Sequence, residues 1–269
     1  MIAANGLSGT IGRHIRPFVE EINLDLSVMK IDFSNVNLNH ISQFIYLAGV
    51  VGNIKVTADL THSYKINVNG LSQLAEQFYK SSTGRFIYIS SSHVYGPSQN
   101  PLSENSLIQP INEYAEQKLI AEKLLTNLFV NNPRRLLIIR VFSVLDFNLP
   151  AFTLGGAIQR IAFQHEQTFL ENVDDIRDFM TPRAIAAAIL EISKVSKMPS
   201  VVNLCTGIGR TVKQAAIEMC QSRGIKFPPD KLKSGNSIFP YIVGDNSLLL
   251  SLCPHLQLTW KPESMSSST

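Results

Sequence analysis

Tyr114 and Lys118 stand four residues apart in the run Tyr114-Ala115-Glu116-Gln117-Lys118. On a helix that spacing puts both side chains on one face. A phenol has an ordinary pKa of about 10, too high for a base at neutral pH. An ammonium beside it favours phenolate, so the pair can take a proton from an alcohol or return one to a ketone. Upstream, Ser90-Ser91-Ser92-His93-Val94-Tyr95-Gly96 closes an apolar run and supplies hydroxyls able to hold the same oxygen. Arg140-Val141-Phe142-Ser143 closes the next apolar run. His93 has an ordinary pKa near neutral. It fits either acid–base or substrate-binding work, or a polar residue hydrogen-bonded at a strand end. Tyr-x-x-x-Lys alone also arises by chance on amphipathic helices, so its weight comes from what surrounds it.

Positioning those residues requires alternating strands and helices. Short runs rich in Ile, Val, Phe and Tyr at 2–4, 44–49, 85–90, 136–142 and Val201–Leu204 predict buried strands. Segments 12–21, 65–81, 112–127, 154–165 and 182–193 carry the helical period. A compressed further strand is expected at 23–30. Continuous apolar strands separated by helices imply a parallel sheet covered on both faces. The expected fold is therefore α/β, a doubly wound parallel sheet, which binds ligands at the carboxyl ends of its strands. Stretches 97–110, 143–150 and 228–240 are turn-rich, and the tail 265–269 is expected to fray.

Gly6-Leu7-Ser8-Gly9-Thr10-Ile11-Gly12 follows the first strand and opens the first helix. Glycines permit a tight turn and a close backbone approach to a pyrophosphate, which the helix N-terminus favours. Strand, glycine loop and helix in that order are the context such a loop requires. Asp25 fits a ribose reader or a surface turn residue equally.

The chain has 269 residues, 45% hydrophobic and 17% charged, as expected of a globular protein with a sizeable core. A net charge of +3 with scattered Lys and Arg does not point to nucleic acid. Cys205, Cys220 and Cys253 are isolated, which argues against a disulfide framework or a metal site and for a reducing, cytoplasmic setting. No apolar run reaches the ~18 residues of a membrane span, and no signal-peptide pattern opens the chain.

In order along nearly the whole chain, these blocks resemble the extended short-chain dehydrogenases of the NAD-dependent epimerase/dehydratase family. The loop spacing G-x-x-G-x-x-G resembles the family's cofactor loop. Ile89 to Gly96 resembles its "SSxxVYG" block, which places the catalytic hydroxyl on Ser91 beside Tyr114 and Lys118. Tyr46-Leu47-Ala48-Gly49 resembles "HLA(A/G)", and Ile66-Asn67-Val68-Asn69-Gly70 resembles "NVxGT". Arg177-Asp178-Phe179 resembles "RDF", and Val202-Asn203-Leu204 with Thr206-Gly207 resembles "vyNiGsG". Leu258-Thr259-Trp260-Lys261-Pro262 resembles the terminal "LGWkP".

The resemblance implies a Rossmann cofactor domain at 1–145 with 176–206, and a small C-terminal substrate lobe at 146–175 with 207–269. It implies NAD or NADP held by Gly6, Ser8, Gly9, Thr10, Ile11, Gly12, Asp32, Phe33, Leu47, Ala48, Gly49, Asn67, Ile89, Tyr114, Lys118 and Val141. Segment 32–35 is the stretch expected beside the adenine, and Lys118 is expected also to bond the nicotinamide ribose. Ser92, His93, Ser143 and Arg177 are the expected contacts to a nucleotide-linked sugar, with Arg177 at its diphosphate. A homodimer through the helices bearing Asn67 and Tyr114 is implied too.

Departures narrow the choice. Ser92-His93 stand where the family's 4,6-dehydratases carry Asp-Glu, which disfavours dehydration. Ser143 replaces the usual Asn, and Thr181-Pro182-Arg183 replaces the segment after "RDF". The expected reaction is 4-keto reduction of an NDP-deoxyhexose, with 4-epimerisation as the alternative. A cofactor-binding regulator without catalysis is the rival of another class, but such chains generally lack the Tyr or the Lys.

Overall fold

A computed structural model describes residues 1–34, 36–197 and 199–261. Asn35, Pro262 and the tail 265–269, on which expectations fell, lie outside the described residues. The main sheet has six parallel strands: β1 (Ile2–Asn5), β2 (Glu20–Glu21), β3 (Gln43–Tyr46), β4 (Arg85–Ser91), β5 (Leu136–Val141) and, after two short lobe strands, β8 (Val201–Leu204). Their order is β2-β1-β3-β4-β5-β8. The chain leaves β1 toward β2 and then returns to β3 on its other side. The cleft at that reversal is where open α/β sheets take ligands.

Alternation along the strands assigns the two faces. Phe44 and Tyr46, Phe86 and Tyr88, Leu136 and Ile138 point into one core, under the helices α4 (Leu71–Ser81) and α5 (Glu113–Leu128). Ile45, Ile87, Ile89, Leu137, Ile139 and Val141 point into the other. There they meet α7 (Pro182–Lys194), whose Ile185, Ile189 and Ile192 form its inner stripe. Phe44 and Phe86 stack at 5.7 Å, and each is fully buried. Burial of one such side chain stabilises by about 1.5–3 kcal/mol.

The lobe contributes a second sheet. β7 (Ile176–Met180) pairs in parallel with β6 (Ser143–Val144) and β10 (Tyr241–Ile242), and antiparallel with β9 (Gly209–Thr211). On sequence β7 falls within the cofactor domain, but its partners are all in this second sheet. Helices α6 (Leu154–Phe163) and α8 (Val212–Ser222) pack on it around Phe147, Phe179 and Trp260.

Several expected boundaries shift. The first helix, α1 (Gly12–Ile15), runs four residues and continues only as a 3-10 turn, Arg16–Phe18. Pro17 has no N–H to extend it. No strand forms at 23–30, because the second strand is the pair Glu20–Glu21. Residues 22–34 and 36–42 instead cross the sheet edge as loop, pinned by Leu26, Ile31, Leu38 and Ile41. The run expected at 44–49 is a strand only to Tyr46, and 47–49 is the turn. Helix α6 stops at Phe163, and His165 lies at φ 54°. Upstream of α4 lie α2 (Asn53–Ala58), α3 (Leu60–Tyr64) and a π-helical segment Lys65–Gly70.

Candidate active site

Tyr114, Ser91 and Lys118 converge at the carboxyl edge of β4. Asn112 caps α5 by accepting from the Ala115 N–H, which sets where the helix begins and so which face carries Tyr114 and Lys118. All three side chains are buried, each less than 9% exposed. The Ser91 hydroxyl accepts from the His93 N–H at 3.2 Å, leaving its proton free to be donated. Burial pushes the Tyr114 phenol up to about 12, and its hydrogen bond with Ser91 offsets part of that rise. Burial brings the Lys118 ammonium down to about 8, against the opposing charge of Glu122. The ammonium donates to the Ile89 carbonyl at 2.8 Å and lies 4.8 Å over the Tyr88 ring. Ile89 therefore serves through its backbone, and Val141 is a core residue at the neighbouring strand end.

A buried network underlies this pair. Glu122, one turn beyond Lys118, accepts from Ser90 at 2.5 Å and from Arg140 at 3.1 and 2.6 Å. Arg140 also donates to the Tyr95 hydroxyl at 3.0 Å, and that hydroxyl donates to Asn203 at 2.7 Å. Glu122 escaped the sequence reading. Its one signal is a carboxylate between Ala121 and Leu125 on the buried side of the helix.

His93 meets Tyr114 edge-on with ring centroids 5.9 Å apart. Its ring is exposed to solvent yet recessed among protein groups. Desolvation and then the positive charge of Arg177 hold its pKa below the usual imidazole value. Arg177 donates to Asp175 at 2.7 Å and is largely buried. Ser143 is half-buried at the start of β6, whereas Ser92 is 3% exposed and offers a substrate almost no surface. Asp178, between Arg177 and Phe179, is fully buried and accepts from the Thr206 N–H and hydroxyl, Gly207 and Gly244. It ties β7 to the turn after β8. A cavity of about 720 Å³ between α8 and Phe227 is lined by none of the residues expected in the site.

The glycine loop fits a dinucleotide. Gly6 has φ +69°, and a Cβ there would lie 2.5 Å from the Ala48 nitrogen. A Cβ on Gly12 would lie 2.2 Å from the Gly6 carbonyl oxygen. These two glycines serve the protein's own packing. Gly9 does not: its Cβ would meet only the Gly6 oxygen, at 3.2 Å, and Gly9 is exposed beside Ser8. A glycine needed by a ligand rather than by the fold looks like this. Thr10 and Ile11 complete the half-open rim. Asn5, missed on sequence, supplies a second sign. Its Oδ1 accepts from the Leu47 and Ala48 N–H groups at 3.1 and 3.4 Å, while its buried Nδ2 has no partner. Only its position, a polar residue ending an apolar strand, hinted at this.

Other residues expected near the cofactor make contacts within the chain. Asn67 spends its whole amide within the protein: Oδ1 accepts from Val50 N–H, and Nδ2 donates to the Val50 carbonyl and to Gln117. Asp32 folds back to accept from the Ser34 N–H, and Phe33 packs partly on the core. Asp25 likewise accepts from Ser27, as a turn residue does. Arg13 donates to the Asn148 carbonyl at 3.4 Å.

Among the described residues no His, Cys, Asp and Glu cluster could hold a metal, and no helix is long and apolar enough to cross a membrane. The three cysteines are buried and free.

The sequence model of the NAD dependent epimerase/dehydratase family matches residues 22–205. The glycine loop precedes that stretch, so its case rests on its own geometry. The chain is 24% identical over 229 residues to a GDP-6-deoxy-D-mannose reductase of Pseudomonas aeruginosa, covering 78% of this chain and 75% of that one. RMD from Pseudomonas aeruginosa, complexed with NADPH, superposes with TM-score 0.80 at 21% identity, covering 97% of this chain and 93% of that one. A UDP-glucuronic acid 4-epimerase of Bacillus cereus, complexed with UDP-glucuronic acid and NAD, also gives 0.80, at 19% identity over 96% and 94% of the two chains.

Proposed function

Because this chain belongs to the NAD-dependent epimerase/dehydratase family, we propose that it is an NAD(P)-linked oxidoreductase of nucleotide-linked sugars, reducing the 4-keto group of an NDP-deoxyhexose. The observation that carries this reading is the convergence of Ser91, Tyr114 and Lys118 beside the cleft at the β1–β3 reversal. The glycine loop and the turn Leu47–Ala48–Gly49 would hold the cofactor, with Ser8, Gly9, Thr10 and Ile11 at its diphosphate. When bound, the reduced nicotinamide supplies the hydride that reaches the sugar carbonyl carbon.

The chain's own residues handle the oxygen. Tyr114 gives its proton to the carbonyl oxygen, completing the alcohol. Ser91 donates to that same oxygen and holds it in place. The Lys118 ammonium stabilises the phenolate left behind. With its pKa raised to about 12, the phenol carries its proton at neutral pH, as an acid for reduction must. His93 and Ser143 face the sugar, and Arg177 its diphosphate.

Epimerisation at the same carbon starts with Tyr114 as a base, which the raised pKa opposes until a positive nicotinamide is present. Similarity to a 4-epimerase keeps this second reading in the test. The test is incubation with a panel of 4-keto and 4-hydroxy nucleotide sugars and either cofactor. Stoichiometric loss of NAD(P)H with a 4-keto sugar supports reduction. Inversion without net cofactor use supports epimerisation. No change with any sugar, together with cofactor binding, leaves the cofactor-binding regulator.

A homodimer would pack through α4 and α5, whose shared groove is lined by Leu71, Ser72, Ala75, Glu76, Leu124, Leu125 and Leu128. Three free buried cysteines fit a cytoplasmic setting.

A further inference from the structure

Asn67 holds one residue of the cofactor-facing loop by both of its backbone groups. Its Oδ1 accepts from the Val50 N–H at 2.7 Å and its Nδ2 donates to the Val50 carbonyl at 3.0 Å. The remaining Nδ2 proton goes to Gln117 Oε1 at 2.8 Å. Gln117 lies on α5 between Tyr114 and Lys118, is 1% exposed, and donates onward to Ser63 at 3.0 Å. A closed chain of buried hydrogen bonds thus runs from the loop after β3 to the helix that carries Tyr114 and Lys118.

The backbone is shaped for this contact. Asn67 sits inside the π-helical segment Lys65–Gly70. Such a turn carries one extra residue, and π-bulges are frequent at functional sites. It lets Asn67 face the loop while Leu71, Leu74, Ala75 and Phe78 still face the core. Gly49 lets the loop come close, since a Cβ there would lie 3.0 Å from Asn67 Oδ1. Three buried polar side chains cost desolvation that apolar residues of the same size would avoid. Geometry that matters to chemistry accounts for keeping them.

We propose that Asn67 and Gln117 are positioning residues: they hold the loop Gly49–Val50 at a fixed separation from Tyr114, so that a dinucleotide seated on the loop presents its reacting ring to the phenol. This rests on the NAD(P)-linked reading above.

The test uses Asn67→Ala, Gln117→Met and the double variant in the full chain. For each, cofactor Kd is measured by calorimetry, thermal midpoint by scanning, and kcat with the substrate that the panel identifies. Asn67→Ala frees the loop and is expected to raise cofactor Kd about 10-fold and to lower kcat. Gln117→Met leaves both bonds to Val50 in place. It is expected to keep Kd within about 2-fold while kcat falls ~10–100-fold, the scale of a small misplacement of reacting groups. Gln117→Glu, which keeps the acceptor for Asn67, should restore most of kcat. If Gln117→Met does not fold, Gln117→Asn, too short to reach Asn67, takes its place with the same expectation. Wild-type kcat in the Gln117 variant, or a lowered thermal midpoint with Kd and kcat unchanged in all variants, overturns the proposal and leaves the functional reading standing. Failure of the wild-type chain to bind either NAD or NADP overturns both.

Discussion

Glu122 lies one helical turn beyond Lys118 and is clamped there by Arg140, whose guanidinium donates to both carboxylate oxygens at 3.1 and 2.6 Å. The carboxylate stands near the Lys118 ammonium, which lies 6.0 Å from the Tyr114 ring, and opposes the loss of its charge to burial. Lys118 then loses its proton as pH rises through about 8. The rate of reduction is therefore expected to fall on the alkaline side near pH 8. Glu122→Gln removes the opposing charge and should move that limb to lower pH. A pH profile of kcat/KM for the two proteins checks this, and coincident alkaline limbs would count against it.

The same shift has a stability consequence. A lysine whose folded pKa lies below its unfolded value binds fewer protons folded than unfolded across the interval between them. Stability then rises with pH from about 8 to 10.5. Below pH 8 the buried ammonium is a standing cost. Lys118→Met is thus expected to abolish turnover yet raise the thermal midpoint at pH 7 by a few degrees, with ~1 kcal/mol moving a chain of this size by about 2–4 °C. The gain should vanish above pH 10.5. A lowered midpoint at pH 7 would show that the bond to Ile89 outweighs the charge.

His93 and Arg177 form a second linked pair. Burial first, and then the charge of Arg177, disfavour imidazolium, so His93 protonates only below its ordinary value. Activity should fall on acidification below that point. Arg177→Gln should raise the His93 pKa and shift the acid limb upward, besides weakening substrate binding. Titration of the His93 ring by NMR in both proteins reads the shift directly; identical titrations would remove Arg177 as its cause.

The glycines separate folding from binding. Gly6→Ala forces a Cβ to 2.5 Å from Ala48 at a positive φ and is expected to abolish folding. Gly9→Ala meets only one oxygen at 3.2 Å, so the chain should fold while cofactor Kd rises about 10-fold or more. Circular dichroism and calorimetry decide it. Unchanged cofactor affinity in Gly9→Ala would mean that the diphosphate does not approach there.

Much of this site was legible in the sequence because its parts sit at strand ends and on one helix face. Ser91, Tyr114 and Lys118 come together because a strand end and a helix with a defined cap place them. The glycine loop was legible for the same reason. Side-chain hydrogen bonding between distant elements was not. The resemblance places Asn67 among the cofactor residues, and nothing in its sequence neighbours points to Val50 or Gln117 as its partners. Ser92 and His93 are adjacent, but only the turn after β4 decides that His93 faces the cleft while Ser92 is buried. Segment 23–30 reads as a compressed strand, yet Leu26 is its one buried side chain and packs singly onto the core.

The central claim is that Tyr114 transfers the proton that accompanies hydride transfer to a nucleotide-linked sugar. The direct measurement is nicotinamide absorbance after mixing the chain with NAD(P)H and a 4-keto nucleotide sugar, for wild type and Tyr114→Phe, with cofactor Kd measured alongside. The account predicts turnover in the wild type, a loss of ~10²–10⁴-fold in the variant, the range of general acid catalysis, and an unchanged Kd. Turnover retained in Tyr114→Phe, or none in a wild-type chain that binds both cofactor and sugar, would contradict it.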